Sequence, residues 1–170
     1  KYENALIWNI KLTSDSDKKI TLFPYVELGM MEFMRELQWQ CYNKHQLSVY
    51  EKDGVLIYRY GVENQPKPDE TPLVYFASDA PAAGFDCDRD EFVGSYRSEE
   101  APVGLEHAHL KNSTLFGGDP CFALELPLKL RAGETKSVNI YLGTEMTEEE
   151  IFQSLVACKA PDFFAASMQK

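Results

Sequence analysis

The sequence predicts a mainly β protein: an antiparallel β-sandwich with one or two short helices. Three observations predict it. Short runs of alternating apolar residues recur along the chain, the segments between them are turn-rich, and no strand-helix-strand rhythm repeats. With 170 residues, 44% of them hydrophobic and 12% aromatic, the chain is long enough for one good core, so one domain is the starting expectation.

The opening run Ala5-Leu-Ile-Trp-Asn-Ile-Lys-Leu12 places Leu6, Trp8, Ile10 and Leu12 on one face of a strand and Asn9 and Lys11 on the other. The polar cluster from Thr13 to Lys19 reads as a turn, and Ile20 to Leu28 as the partner strand. Pro24 suggests an edge or a bulge in it, whereas apolar bulk on both its faces suggests a position inside the sandwich. From Gly29 to Lys44, Met30, Met34, Leu37 and Cys41 recur at helical steps, with Glu32, Arg35 and Glu36 between them, which predicts a short helix.

His45 to Glu63 reads as a hairpin, because Asp53-Gly54 supplies two residues that tolerate positive φ between alternating runs. Asn64 to Pro72 holds three prolines and reads as a surface loop; Leu73 to Ser78 is the next strand. Asp79 to Gly118 is turn-rich and long for a connection, and loops of that length usually have a job. Cys121 to Leu130 and Ser137 to Leu142 alternate again and, joined by Arg131-Ala-Gly-Glu134, read as a second hairpin. Thr147-Glu-Glu-Glu150 is a capping box opening a helix that carries Ile151, Leu155 and Cys158 and stops before Pro161. The expected organisation is a sandwich portion over 1–145 and a helical segment leading to a linker over 146–170. A first residue Lys1, with strand-like sequence almost at once, reads as a fragment or a processed chain.

The formal charge of −10, from 27 acidic and 17 basic residues, would repel a phosphate backbone, so no nucleic-acid partner is expected. No run approaches the roughly 20 apolar residues of a membrane-spanning helix, so no membrane partner is expected either. Cys41, Cys87, Cys121 and Cys158 lie 34 to 46 residues apart without any C-x-x-C pair. They read as buried free thiols of a reducing, cytoplasmic compartment.

Candidate chemistry is sparse. Asp86-Cys-Asp-Arg-Asp90 offers carboxylates at alternate positions, but a calcium loop needs Gly where Glu91 stands and Glu where Arg97 stands. A charge network with Arg89 and Arg97 is the preferred reading. His107 and His109, beside Glu106, would share one face of a strand. A third metal ligand at recognisable spacing is missing and no carboxylate is evident to hold either ring, so no metal site is assigned. No nucleophile elbow, P-loop or dinucleotide fingerprint occurs. Paired carboxylates for glycoside cleavage cannot be picked by spacing, so no catalytic residue is assigned. Trp8, Phe23, Tyr25, Tyr58, Tyr60, Tyr75 and Phe76 read as core aromatics, with sugar stacking the rival reading.

A succession of short motifs remains: Asp90-Glu-Phe-Val-Gly-Ser-Tyr-Arg97, Ala101-Pro102, Leu110-Lys-Asn-Ser113, Gly118-Asp-Pro-Cys121, Ala123-Leu-Glu-Leu126, Ala132-Gly-Glu134 and Leu142-Gly143, preceded by Leu6 to Leu12 and Phe23-Pro-Tyr-Val-Glu27. Their order and spacing over most of 5–145 resemble the N-terminal domain of the glycoside hydrolase family 94 phosphorylases, formerly glycosyltransferase family 36, of cellobiose, cellodextrin and chitobiose. The resemblance implies a galactose-mutarotase-like super-sandwich, followed by a helical linker, an (α/α)6 barrel with the catalytic aspartate and most of the phosphate site, and a small C-terminal piece.

The capped helix lies near Lys170, so that barrel is expected to lie outside this sequence, leaving the chain alone inactive. Glu27, Arg89, Asp90, Gly94, Arg97, Asn112, Ser113 and Asp119 carry over as architecture, with Arg97 weighed between a salt bridge and a neighbouring catalytic cleft. The resemblance further implies no cofactor, inorganic phosphate as co-substrate of the whole enzyme, a β-glucoside substrate, the barrel of the same protein as partner, and a homodimer. The alternatives are a stand-alone carbohydrate-binding module and a small enzyme whose His107 and His109 grip a metal.

Overall fold

The computed structural model describes residues 4–29, 44–61, 71–160 and 163–164. The helix expected from Gly29 to Lys44 and the proline-rich loop from Asn64 to Pro72 fall almost wholly outside them.

Among the described residues, ten strands form two facing antiparallel sheets: β1 Ala5–Thr13, β2 Lys18–Leu22, β3 Tyr25–Glu27, β4 Leu47–Lys52, β5 Val55–Tyr60, β6 Leu73–Ser78, β7 Gly84–Asp88, β8 Leu115–Phe116, β9 Pro120–Leu130 and β10 Thr135–Glu145. The helices α1 Arg89–Phe92 and α2 Glu148–Cys158 and a 3-10 turn at Val103–Glu106 decorate them. The large sheet runs β1-β10-β6-β5-β4-β8. In the small sheet β9 is central, with β2 and β3 on one edge and β7 on the other.

Alternation explains the layers. Leu47, Val49, Leu56, Tyr58, Val74, Phe76, Val138 and Ile140 of the large sheet meet Phe122, Leu124, Leu126 and Leu128 of β9 between the sheets. Phe76 and Phe122 stack across that core with centroids 5.6 Å apart. The back of the large sheet carries Val55, Ile57, Leu73, Tyr75, Ala77 and Tyr141, onto which α2 lays Ile151, Leu155 and Cys158. A third, smaller core on the outer face of the small sheet joins Cys121 and Ala123 to Phe92, Val93 and Leu110. Each fully buried large apolar side chain contributes about 1.5–3 kcal/mol of transfer free energy.

The Asp53-Gly54 hairpin forms as expected, with φ of 50° and 79° at the two turn residues, and Glu51 Oε1 accepts from Gly54 N at 2.6 Å. Thr147 caps α2 in a full capping box with Glu150.

Two expected hairpins are not hairpins. β1 pairs with β10, and β2 with β9, so the turn after Thr13 carries the chain from one sheet to the other. Arg131 to Glu134 does the same between β9 and β10, which face each other across the core rather than lie side by side. Both edges of β10 are taken by β1 and β6, leaving no place for β9. The stretch 20–28 is an edge, not an interior strand. It breaks at Phe23-Pro24, where proline has no N–H for a ladder, and Pro24 O instead accepts from Leu124 N at 3.2 Å. Trp8, expected in the core, and Leu6 on the same face remain 45% and 62% exposed on the edge strand β1.

Candidate functional site

The motif residues gather on the outer face of the small sheet, where β7 runs directly into α1. Asp88, in extended backbone, caps that helix by accepting from Asp90 N at 2.9 Å, and burial pushes its carboxyl above the usual carboxylate range. Arg89 N donates to Asp119 O at 3.0 Å. The Arg89 guanidinium spans two carboxylates, Nε to Glu27 Oε1 at 2.8 Å and Nη2 to Glu99 Oε1 at 2.9 Å. Tyr25 donates its hydroxyl to the same Glu27 oxygen at 2.7 Å, and its ring stacks on Phe92 at 4.9 Å. Burial and the bond to Glu27 push the Tyr25 hydroxyl far above its ordinary range, and Glu27 likewise raises Arg89. One fork therefore joins β3, α1 and the following loop.

That loop turns on two residues with left-handed backbone, Gly94 (φ 96°) and Tyr96 (φ 63°), and Tyr96 is wholly exposed. A Cβ at Gly94 would sit 3.3 Å from Arg97 Cδ and Val103 Cγ1, so glycine also serves the close packing. Arg97 folds back onto Glu106 and reaches Ala101 O at 3.4 Å, and its guanidinium holds the Glu106 carboxyl below the usual range. Two further ion pairs, Lys111 with Glu91 and Lys44 with Asp119, rim the cluster.

Residues 107–114 then cross β7 as a strap, fastened by two buried carboxylates. Glu125, on β9, accepts from Leu110 N at 3.0 Å through Oε2 and pairs with His109 Nδ1 at 2.8 Å through Oε1. Asp86 Oδ1 accepts from Ser113 N at 3.0 Å, while Oδ2 is buried without a hydrogen-bond partner among the described residues. In return Asn112 Oδ1 accepts from Phe85 N at 3.1 Å, and Ser113 Oγ and O accept from Cys87 N at 3.2 and 3.0 Å. Asn112 adopts φ 58°, a left-handed conformation in which Asn is among the favoured residues.

Of the eight residues singled out from sequence, Glu27, Arg89 and Asp119 meet at one junction, Asn112 and Ser113 clip the strap to β7, and Gly94 and Arg97 shape the intervening loop. Asp90 lies exposed in the first turn of α1. The expected charge network exists with other partners. Arg89 and Arg97 bind Glu27, Glu99 and Glu106, whereas Asp86 holds the strap and Asp88 caps a helix. His107 and His109 follow the 3-10 turn rather than sit on a strand.

Sequence reasoning missed Glu125, whose signal was a lone charge between Leu124 and Leu126 in an apolar strand, and placed Asp86 in a charge network with Arg89 and Arg97 rather than buried under the strap. Cys87 and Cys121 are buried free thiols and Cys158 is buried, and burial pushes Cys87 up to about 12. Among the described residues, no group of three or more His, Cys, Asp or Glu could hold a metal ion, and no helix is long and apolar enough to cross a membrane. An open groove of about 690 Å3 lies elsewhere. It runs between the β4–β5 turn and α2 and is rimmed by Lys52, Asp53, Glu148 and Glu149.

The family model described as "Glycosyl hydrolase 94, supersandwich domain" matches residues 1–160. N,N'-diacetylchitobiose phosphorylase of Vibrio furnissii is 29% identical over 150 residues, 84% of this chain and 18% of the relative's own length. The protein of the same name from Vibrio proteolyticus is 30% identical over 79% of the chain and 17% of its own length. Cyclic beta-(1,2)-glucan synthase NdvB of Rhizobium meliloti (strain 1021) is 33% identical over 93 residues, 54% of the chain and 3% of that protein. The chain thus spans less than a fifth of the length of the relatives it matches.

Proposed function

The chain belongs to the glycosyl hydrolase 94 supersandwich domain family, and from that premise we propose that it is the noncatalytic sandwich portion of an inverting phosphorylase of β-linked disaccharides. In that reading the whole protein takes a β-glucoside and inorganic phosphate. A carboxylic acid protonates the glycosidic oxygen, and phosphate attacks the anomeric carbon from the opposite face, releasing a sugar 1-phosphate with inverted configuration. The acid and the phosphate site belong to an (α/α)6 barrel of the same polypeptide, on which this sandwich docks. The reading includes a homodimer, no cofactor and a cytoplasmic setting, the last in keeping with the free thiols of Cys87 and Cys121.

The observation that carries the noncatalytic assignment is the Arg89 junction. Its charged groups are spent on one another: Glu27 and Glu99 on Arg89, Asp88 on a helix cap, and Arg97 on Glu106. Groups so paired hold segments in register and are poorly placed to shuttle protons. The test is an assay for sugar 1-phosphate with N,N'-diacetylchitobiose or cellobiose and phosphate. The chain alone should release none above the blank; turnover that scales with chain concentration would sink the proposal.

A carbohydrate-binding module is the second reading, favoured by the exposed rings of Trp8, Tyr96 and Phe116. Trp8 and Phe116 lie on β1 and β8, the two opposite edges of the large sheet, so these two rings cannot form one stacking platform.

A further inference from the structure

We propose that a second copy of this chain docks on β1, edge to edge, so that the two large sheets continue into one, an interface that rests on the proposed function only for its homodimer. The sheet edges among the described residues are not alike. β8 is two residues long. The edge formed by β2 and β3 breaks at Phe23-Pro24, and β7 shifts register between Asp86 and Asp88 and lies under the strap. Short strands, prolines, bulges and covering loops are the devices that keep an edge from pairing. β1 has none of them: it runs nine residues without proline, in unbroken register against β10.

The backbone of that edge points outward at alternate residues. Asn4 O accepts from Thr144 N at 3.0 Å, so the even-numbered residues bond toward β10. Asn139, opposite Asn9, instead turns to Asp79: its N donates to Asp79 Oδ1 at 2.9 Å and its O accepts from Asp79 N at 3.2 Å. Ala5, Ile7, Asn9, Lys11 and Thr13 therefore present their N–H and C=O groups to the open side.

Placing Asn9 opposite Asn9 of the second copy is the antiparallel register that uses all nine residues. Ile7 then exchanges bonds with Lys11 of the second copy, and Ala5 with Thr13. Between them Trp8 meets Ile10 and Leu6 meets Leu12, apolar against apolar on one face, which covers the exposed parts of Trp8 and Leu6. Lys11, the one charge of β1, falls opposite Ile7 and never faces its own copy. Nine residues a side fall short of the roughly 20–30 of a standard interface, and a charge of −10 on each copy opposes contact. The dimer is therefore weak, dissociating in the micromolar to millimolar range, and salt tightens it by screening.

The experiment is sedimentation equilibrium of the full chain from micromolar to millimolar concentration, in low and high salt, beside Trp8→Lys, with each variant first checked by circular dichroism. The expected result is a reversible monomer-dimer equilibrium that salt tightens and that Trp8→Lys weakens about tenfold or more. Asn9→Cys reads the register. On oxidation it should give a disulfide-linked dimer, because residue 9 meets itself across the axis at the roughly 5.5 Å of a hydrogen-bonded pair, whereas the parent and Lys11→Cys should give none. A chain that stays monomeric throughout, a dimer indifferent to Trp8→Lys, or linkage by Lys11→Cys as readily as by Asn9→Cys would each overturn the interface. The last two outcomes would leave a homodimer standing on another face.

Discussion

Replacing Gly143 by alanine, a change of one methyl group, is expected to cost about 3 kcal/mol. Gly143 lies in β10 between Ala5 of β1 and Tyr75 of β6. A Cβ there would stand 2.5 Å from Tyr75 Cζ and 2.7 Å from the Asn4 carbonyl oxygen, so something must move by about 1 Å to reach ordinary contact. Neither neighbour yields cheaply. Tyr75 is wholly buried beneath α2 with its hydroxyl 3.3 Å from Ser154 Oγ, and Asn4 O accepts from Thr144 N at 3.0 Å. Overpacking costs about 1–3 kcal/mol and the strained ladder bond about 1 more. At about 2–4 °C per kcal/mol for a chain of this size, Tm should fall by roughly 6–12 °C in a dichroism melt. Tyr75→Phe should not rescue it, because Cζ remains. Gly61→Ala is the control: no described residue lies within 4 Å of its added Cβ, and the effect should stay within about 0.5 kcal/mol apart from a small entropic gain. A Gly143→Ala melt within about 2 °C of the parent would refute the reasoning.

Phe122→Ala, which empties the stack against Phe76 at the centre of the sandwich, should cost about 3–5 kcal/mol in urea unfolding. Thr147→Ala removes the side-chain bond to Glu150 N at 3.2 Å and should cost about 1 kcal/mol by the same measurement. Lys52, and next the Tyr50 hydroxyl, hold the Glu148 carboxyl below its usual range. Because the folded pKa is depressed, this stabilisation is present above about pH 4.5 and is lost as pH falls through the folded value. Glu148→Gln should therefore lower stability at pH 7 by less than about 1 kcal/mol, since the pair is partly exposed, and the gap to the parent should narrow as the pH falls below the depressed folded value in a series of urea midpoints.

Local signals were legible where local physics decides. Asp53-Gly54 turned a hairpin, Thr147 with Glu150 opened a helix, and alternation found the main strands. Pairing was not legible, because a polar turn looks the same whether the chain doubles back within a sheet or arches to the other one. The choice is made by partners far away, such as Trp8 against Ile140 and Leu22 against Leu126. The same gap hid the site. Arg89 finds Glu27 across 62 residues and His109 finds Glu125 across 16, so neither pair has a spacing signature. Gly143, noted in sequence only as part of a motif, acquires its reason from Tyr75 and Asn4.

Titration calorimetry of the chain with N,N'-diacetylchitobiose and with cello-oligosaccharides tests the proposed supporting role most directly. A sandwich whose polar cluster is occupied in holding its own segments together predicts no saturable heat at millimolar sugar. A saturable isotherm with either sugar, abolished by Tyr96→Ala, would contradict it.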